Sequence, residues 1–272
     1  MRISSFTAHV NREMRRLSGS GHDAGFLKNY YRTELDLLGL TLPVQRNRHR
    51  ESYSPLADMT QDERAEAWLR VWQESNLHES MSQTIFFFET WARERAKTNS
   101  VSGKPSAAYD RLWDPLWPYL VKMVERLDNW AHSDGLSNLI SAAVEERPER
   151  YTTLVKWSRN AKPWYRRQSI VSLHYYSRAR KTPLPSVKTL PLIESLLDDE
   201  HFYVQRGVGW ALRECYNVDP KATLRFLNKH IHRVAPPGYF AAVEKLAPGD
   251  RVRLKKIRLA RRKAAKTSTT PS

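Results

Sequence analysis

The chain has 272 residues, 40% of them hydrophobic, enough apolar material for a sizeable core in one large or two modest domains. No apolar run reaches the roughly 18 to 20 residues of a membrane helix, and the single cysteine, Cys215, excludes a disulfide framework and a thiolate metal cluster. A total of 45 Lys and Arg against 29 Asp and Glu leaves a formal net charge of +16, which favours a polyanionic partner.

The N-terminal MRISSFTAHVNREMRRL lacks the apolar block of a secretory signal, and a cytoplasmic location is expected. Its arginines also suit a mitochondrial presequence, against which the helical texture continues without a break. Phe6, Val10, Met14 and Leu17 recur at helical spacing, closed by SGSGHD. Residues 26–40, FLKNYYRTELDLLGL, predict a second helix ending at Gly39, and 43–54 a basic connection whose cations could meet phosphates. Thr60 with Glu63 forms a capping box ahead of a third helix. HESMSQTIFFFETWARERA follows, with Ile85, Phe88, Trp91 and Ala92 as its buried side. Residues 97–105, KTNSVSGKP, read as a loop or insertion. A further helix is expected from Tyr109 to Arg126, kinked near Pro115 and Pro118.

In LDNWAHSDGLSNLISAAV, the positions Leu136, Leu139, Ile140 and Ala143 mark one apolar face. Trp130 and Asp134 are four apart and share another face, about 150° away, if the helix is continuous. Asp134 ahead of Gly135 also suits an N-cap for a helix that starts at LSNLI, and both readings stay open.

WYRRQSIVSL and YVQRGVGWAL align at an offset of 39 residues, matching Arg167 to Arg206 and Leu173 to Leu212. Stacked helix pairs of the HEAT kind produce an offset near 40. With no glycine-rich phosphate loop and no alternating strand pattern, the expected fold class is all-α, a solenoid of stacked antiparallel helix pairs. SVKTLPLIESLLDDE supplies Val187, Leu190, Ile193, Leu196 and Leu197 in helical spacing, with acids 198–200 at the head of the next helix. That helix places Val204, Val208, Ala211, Leu212 and Cys215 on a core face and Arg206, Trp210 and Arg213 opposite. An aromatic between arginines suits a flat anionic ligand; alternatively Trp210 packs under a neighbour with the arginines snorkelling past. His230 and His232, two apart, are poorly spaced for one metal, and no metal site is expected. Residues 251–266 carry nine basic residues and no acid, and the rest of the chain still carries +7. The expected organisation is one helical-repeat domain over 1–250, then a basic helix or tail over 251–272 with a disordered end.

Trp130 with Asp134 in NWAHSD, the block KWSRNAKPWYRR, HFYVQRGVGWALRECYNVDP and the N-terminal helix and turn YYRTELDLLGLTLP together resemble the AlkD-like branch of DNA alkylation repair proteins. The match spans roughly residues 26–245 and is densest over 128–220. The resemblance implies a monomeric HEAT-like stack with a basic concave face that holds duplex DNA. It also implies a DNA N-glycosylase that excises N3-alkyladenine and N7-alkylguanine in base excision repair without base flipping, with no cofactor. Carried over, Asp134 is the catalytic carboxylate, Trp130 and Trp210 are the cleft tryptophans, and Arg167 contacts DNA with its neighbour Arg166. Arg206 and Arg213 are further phosphate candidates, and Tyr30 stands at the edge of the cleft. Asn129 and His132 depart from the family pattern, which leaves room for altered substrate preference. The alternatives are a noncatalytic helical-repeat module that grips damaged or branched DNA, and a protein-binding scaffold.

Overall fold

In the computed structural model, which describes residues 3–17, 21–101 and 111–267, every extended element is a helix and no strand forms among the described residues. The chain divides into two compact units, Met1–Leu139 and Ile140–Ser272.

The first unit contains α1 (Ile3–Arg16), α2 (Ala24–Tyr31), α3 (Leu42–Arg50), α4 (Gln61–Glu74), α5 (His78–Val101), α6 (Trp117–Met123) and the start of α7 (Trp130–Glu146). Phe6, Val10 and Met14 of α1 are fully buried, as their spacing predicts, against α4 and α5. The capping box is present: Thr60 Oγ1 accepts from the Glu63 N–H, and the Glu63 carboxylate accepts from the Thr60 N–H. Phe6, Tyr53 and Trp68 meet edge to face, with centroids 5.0 to 5.9 Å apart, and Trp72 donates its indole N–H to the carbonyl of Met123. Ile85, Phe88, Trp91 and Ala92 are buried along α5, joined by Phe86 and Phe87.

Four expectations for this unit are corrected. The helix over 26–40 stops at Tyr31, where Arg32 adopts φ 51°, because the later N–H groups have other partners. The buried carboxylate of Glu79 accepts the N–H groups of Leu38, Gly39 and Leu40, and Gly39 turns at φ 76°. The connection expected over 43–54 is helical over most of its length: residues 42–50 form α3, started by Thr41 in extended geometry with Pro43 in the first turn. Its cations are largely engaged: Arg46 pairs with Glu89, Arg48 with Glu13, and burial holds the His49 pKa down at about 4. The polar interval at 97–105 begins as helix, since α5 runs to Val101; 102–105 lie outside the described residues, as does Tyr109. The helix expected from there starts at Trp117, with Pro118 in its first turn.

The second unit takes the rest of α7 and α8 (Tyr151–Trp157), α9 (Pro163–Val171), α10 (Ser186–Glu194), α11 (Phe202–Val218), α12 (Pro220–His230), α13 (Pro236–Val243) and α14 (Pro248–Thr267). It is organised around α11, which packs on α9, α10, α12 and α13. Val204, Val208, Ala211, Leu212 and Cys215 are all buried, as read from the sequence. Against α13 the approach is backbone to backbone: a Cβ on Gly209 would collide with the carbonyl of Gly238. Val187, expected on the apolar face of α10, instead lies in its first turn facing water. Asp198 and Asp199 act through ion pairs, with Arg233 and Arg166. No described helix is long and apolar enough to cross a membrane.

Candidate functional site

In the first unit, the start of α7 settles the choice left open for Asp134. The helix is continuous from Trp130, and its N-cap is Asn129, whose Oδ1 accepts the N–H of His132 at 2.9 Å. Asp134 is therefore not a cap. It lies one turn beyond Trp130 on the same helix, partly exposed, and the two side chains share a face.

Trp130 is held by two consecutive tyrosines. Its ring meets Tyr30 at 5.4 Å and Tyr31 at 5.3 Å, both near perpendicular, and its Nε1–H donates to the Tyr30 carbonyl at 3.4 Å. Tyr30, stacked on Phe26, is 54% exposed, so Trp130 and Tyr30 present an aromatic surface rather than a closed pocket. A polar network fixes this corner from beneath. Thr33 Oγ1 donates to one oxygen of Asp128, the other accepts from Asn129 Nδ2, and Asn129 Nδ2 also lies 3.0 Å from His132 Nδ1. Because Nδ1 accepts there, the proton of His132 sits on Nε2, which reaches Ser82 Oγ and the His78 carbonyl, both at 3.1 Å. Asn129 and His132 are 0% and 2% exposed, so they act on the surface of α7 only through the helix they anchor.

Tyr31, His78, His132 and Trp72 continue inward as a column, with the two imidazoles stacked 4.0 Å apart. Burial pushes the His132 pKa down to about 4 and that of His78 well below its usual value, so both are neutral near pH 7. The column supplies rigidity and a fixed tautomer rather than charge.

In the second unit, Trp210 stacks on Tyr175 at 5.0 Å and 24°, with Tyr176 at its edge and the Arg213 guanidinium 5.4 Å over its ring. Tyr176 takes φ 45°, and the turn after it is pinned by Glu214, which accepts both the N–H and the hydroxyl of Ser177. Sequence spacing does not single out the tyrosine pair 175–176. A signal is present all the same: the sequence has Tyr-Tyr doublets at 30–31 and 175–176, and the fold sets the first against Trp130 and the second against Trp210.

The arginines separate into exposed and engaged. Arg206 is exposed on α11, one turn before Trp210. Arg213 pairs with Glu214 and Glu244, and Arg166 with Asp199 and the carbonyls of Asn160 and Ala161. Arg167, the counterpart of Arg206 across the 39-residue offset, is 5% exposed and donates to the Tyr203 carbonyl at 2.9 Å, so it joins α9 to α11. Cys215 is buried, its thiol pushed up to about 12, and is unreactive near neutrality. Among the described residues no group of three or more His, Cys, Asp or Glu side chains could hold a metal ion.

A family model described as DNA alkylation repair enzyme matches residues 10–246. A solved structure described as a predicted DNA alkylation repair enzyme from Enterococcus faecalis is similar with a TM-score of 0.61 at 12% identity, over 83% of this chain and 95% of that one. At that identity the likeness speaks for the fold. No curated protein matches the sequence at a significant level.

Proposed function

Since the chain belongs to the DNA alkylation repair enzyme family, we propose that it is a DNA N-glycosylase that releases N3-alkyladenine and N7-alkylguanine from duplex DNA. The observation that carries this reading is the arrangement on α7: a partly exposed carboxylate, Asp134, one turn from Trp130 on a rigidly capped helix.

The chemistry asks little of the protein. An N3- or N7-alkylated purine is cationic, so when the C1′–N bond breaks, the electron pair neutralises the departing base and no acid is needed. Positive charge passes to the deoxyribose. A carboxylate beside that sugar, walled by an aromatic ring, stabilises the oxocarbenium-like transition state and orients the water that attacks C1′, whose proton then leaves to the carboxylate or solvent. One carboxylate suffices. We assign that role to Asp134, with Trp130 and Tyr30 forming the wall. Their exposure suits contact along the sugar edge of a stacked nucleotide better than enclosure of an extruded base.

In the second unit, Trp210 on its Tyr175 platform and the exposed Arg206 are assigned to the DNA backbone. Arg167 and Arg166, buried or paired, support α11 in this proposal rather than touching phosphate themselves. The test is release of free base from methylated duplex DNA. Release above the spontaneous rate supports the reading; tight DNA binding without release turns the protein into a noncatalytic DNA-binding module.

A further inference from the structure

The family match ends at residue 246 and α14 begins at Pro248, so this helix lies outside the part of the chain that the family accounts for. Its two sides use different cations. On one, Leu254 is fully buried, and the arginines dock the helix by donating to backbone carbonyls. Arg251 reaches Leu246 and Glu244, Arg258 reaches Val234 from over the Tyr239 ring, Arg261 reaches Lys229, and Arg262 reaches His232 and Val234. The carbonyl of Lys229 lies in the last turn of α12 and that of His232 just beyond its cap, where cations are favoured.

The other side carries Lys255, Lys256 and Lys263 with Val252 and Leu259, all exposed. At 100° per residue these five positions fall within an arc of about 100°, centred about 150° from Leu254. The guanidiniums on the docked side are already engaged by carbonyls, while the exposed lysine ammoniums are compact point charges that bind phosphates without a fixed geometry. Lys255 and Lys256 are adjacent and exposed on a docked helix, a positive surface that an external polyanion complements.

We propose that the lysine face of α14 is a contact surface for the phosphate backbone of duplex DNA, adding sequence-independent affinity outside the residues assigned to base release. The occupant rests on the reading of this protein as DNA-binding. A lipid surface fits less well, because an interfacial helix buries a broad apolar face, commonly with aromatics, and this one offers a single valine and a single leucine.

The experiment compares the full-length chain with the triple variant Lys255→Gln/Lys256→Gln/Lys263→Gln, titrating an unmodified duplex of defined length over a range of salt concentrations. The substituted side chains are exposed, and the unfolding midpoint is measured to show that the variant is folded. The slope of log K against log salt is expected to become shallower by about two to three, roughly 0.9 for each phosphate that is no longer neutralised. Base release from saturated methylated duplex stays at the wild-type rate. An unchanged slope overturns the proposal, as does lysine-dependent binding to phosphatidylglycerol vesicles that is tighter than binding to duplex. Wild-type protein that binds duplex but releases no base would sink the glycosylase reading and leave the salt comparison to decide the role of α14 independently.

Discussion

Trp130 donates its indole N–H to the backbone carbonyl of Tyr30, so the first residue of α7 is tied to the end of a helix a hundred positions earlier in the chain. The tie is reinforced below by Thr33 and Asp128, and the aromatic surface is thereby part of the fold rather than a pair of loose side chains.

Asn129 is the hub of that corner, since it caps α7, bonds Asp128 and supplies the donor for His132 Nδ1. Asn129→Ala removes the cap and leaves a buried imidazole nitrogen unpaired. A loss of about 2 to 3 kcal/mol in stability is expected from urea unfolding. A loss below about 0.5 kcal/mol would show that water or a side-chain shift replaces the network.

Stability should fall as the solution is acidified from pH 7 to pH 5. His132 and His174 are buried with pKa values pushed down to about 4, so below their ordinary value of 6.5 the unfolded chain binds protons that the native chain does not. Each costs about 2 kcal/mol by pH 5. Glu79, whose carboxyl burial pushes up, takes up its proton more readily when folded and works in the opposite sense. Carboxylates held low, such as Asp198 with Arg233, add their losses only below about pH 4. Urea midpoints that stay level between pH 7 and pH 5 would contradict the burial of neutral histidines.

Gly209 offers a test in which helix propensity and packing disagree in sign. In an exposed helix Gly→Ala stabilises by about 1 kcal/mol. Here the new methyl meets the Gly238 carbonyl across the α11–α13 contact, and Gly209→Ala is expected to destabilise by about 2 kcal/mol or more. Calorimetry that finds the variant more stable than wild type would mean that the two helices are not in backbone contact.

Much of the second unit was legible because its information is local. The buried stripe of α11 follows from spacing alone, and so does the opposite face with Trp210. What spacing missed depended on distant partners. Residues 26–40 look helical until Glu79, about 40 positions away, captures three of their N–H groups. Asp134 followed by Gly135 resembles a cap more than Asn129 does, and only the backbone N–H of His132, donating to Asn129 Oδ1, shows which residue is the cap. Arg167 and Arg206 share a local sequence pattern yet differ in burial, because the Tyr203 carbonyl of α11 lies against the first and not the second.

That difference predicts different effects when the two arginines are replaced. Arg206→Gln should make the salt dependence of DNA binding shallower by about 0.9 while leaving the unfolding midpoint unchanged. Arg167→Gln should do the reverse, lowering stability by about 1 to 3 kcal/mol through the unpaired Tyr203 carbonyl with no change in salt slope. Titrations of both variants at several salt concentrations, alongside thermal melts, distinguish the roles, and an Arg167 variant with a shallower slope would restore it as a phosphate contact.

In the proposed reaction Asp134 acts from its place one turn beyond Trp130. The most direct measurement is single-turnover release of 7-methylguanine and 3-methyladenine from methylated duplex DNA by the wild-type protein and by Asp134→Asn, with DNA affinity measured in parallel. The account predicts base release by wild type, a loss of roughly 100-fold or more in the variant and affinity within a few-fold. Equal rates for the two proteins would contradict it.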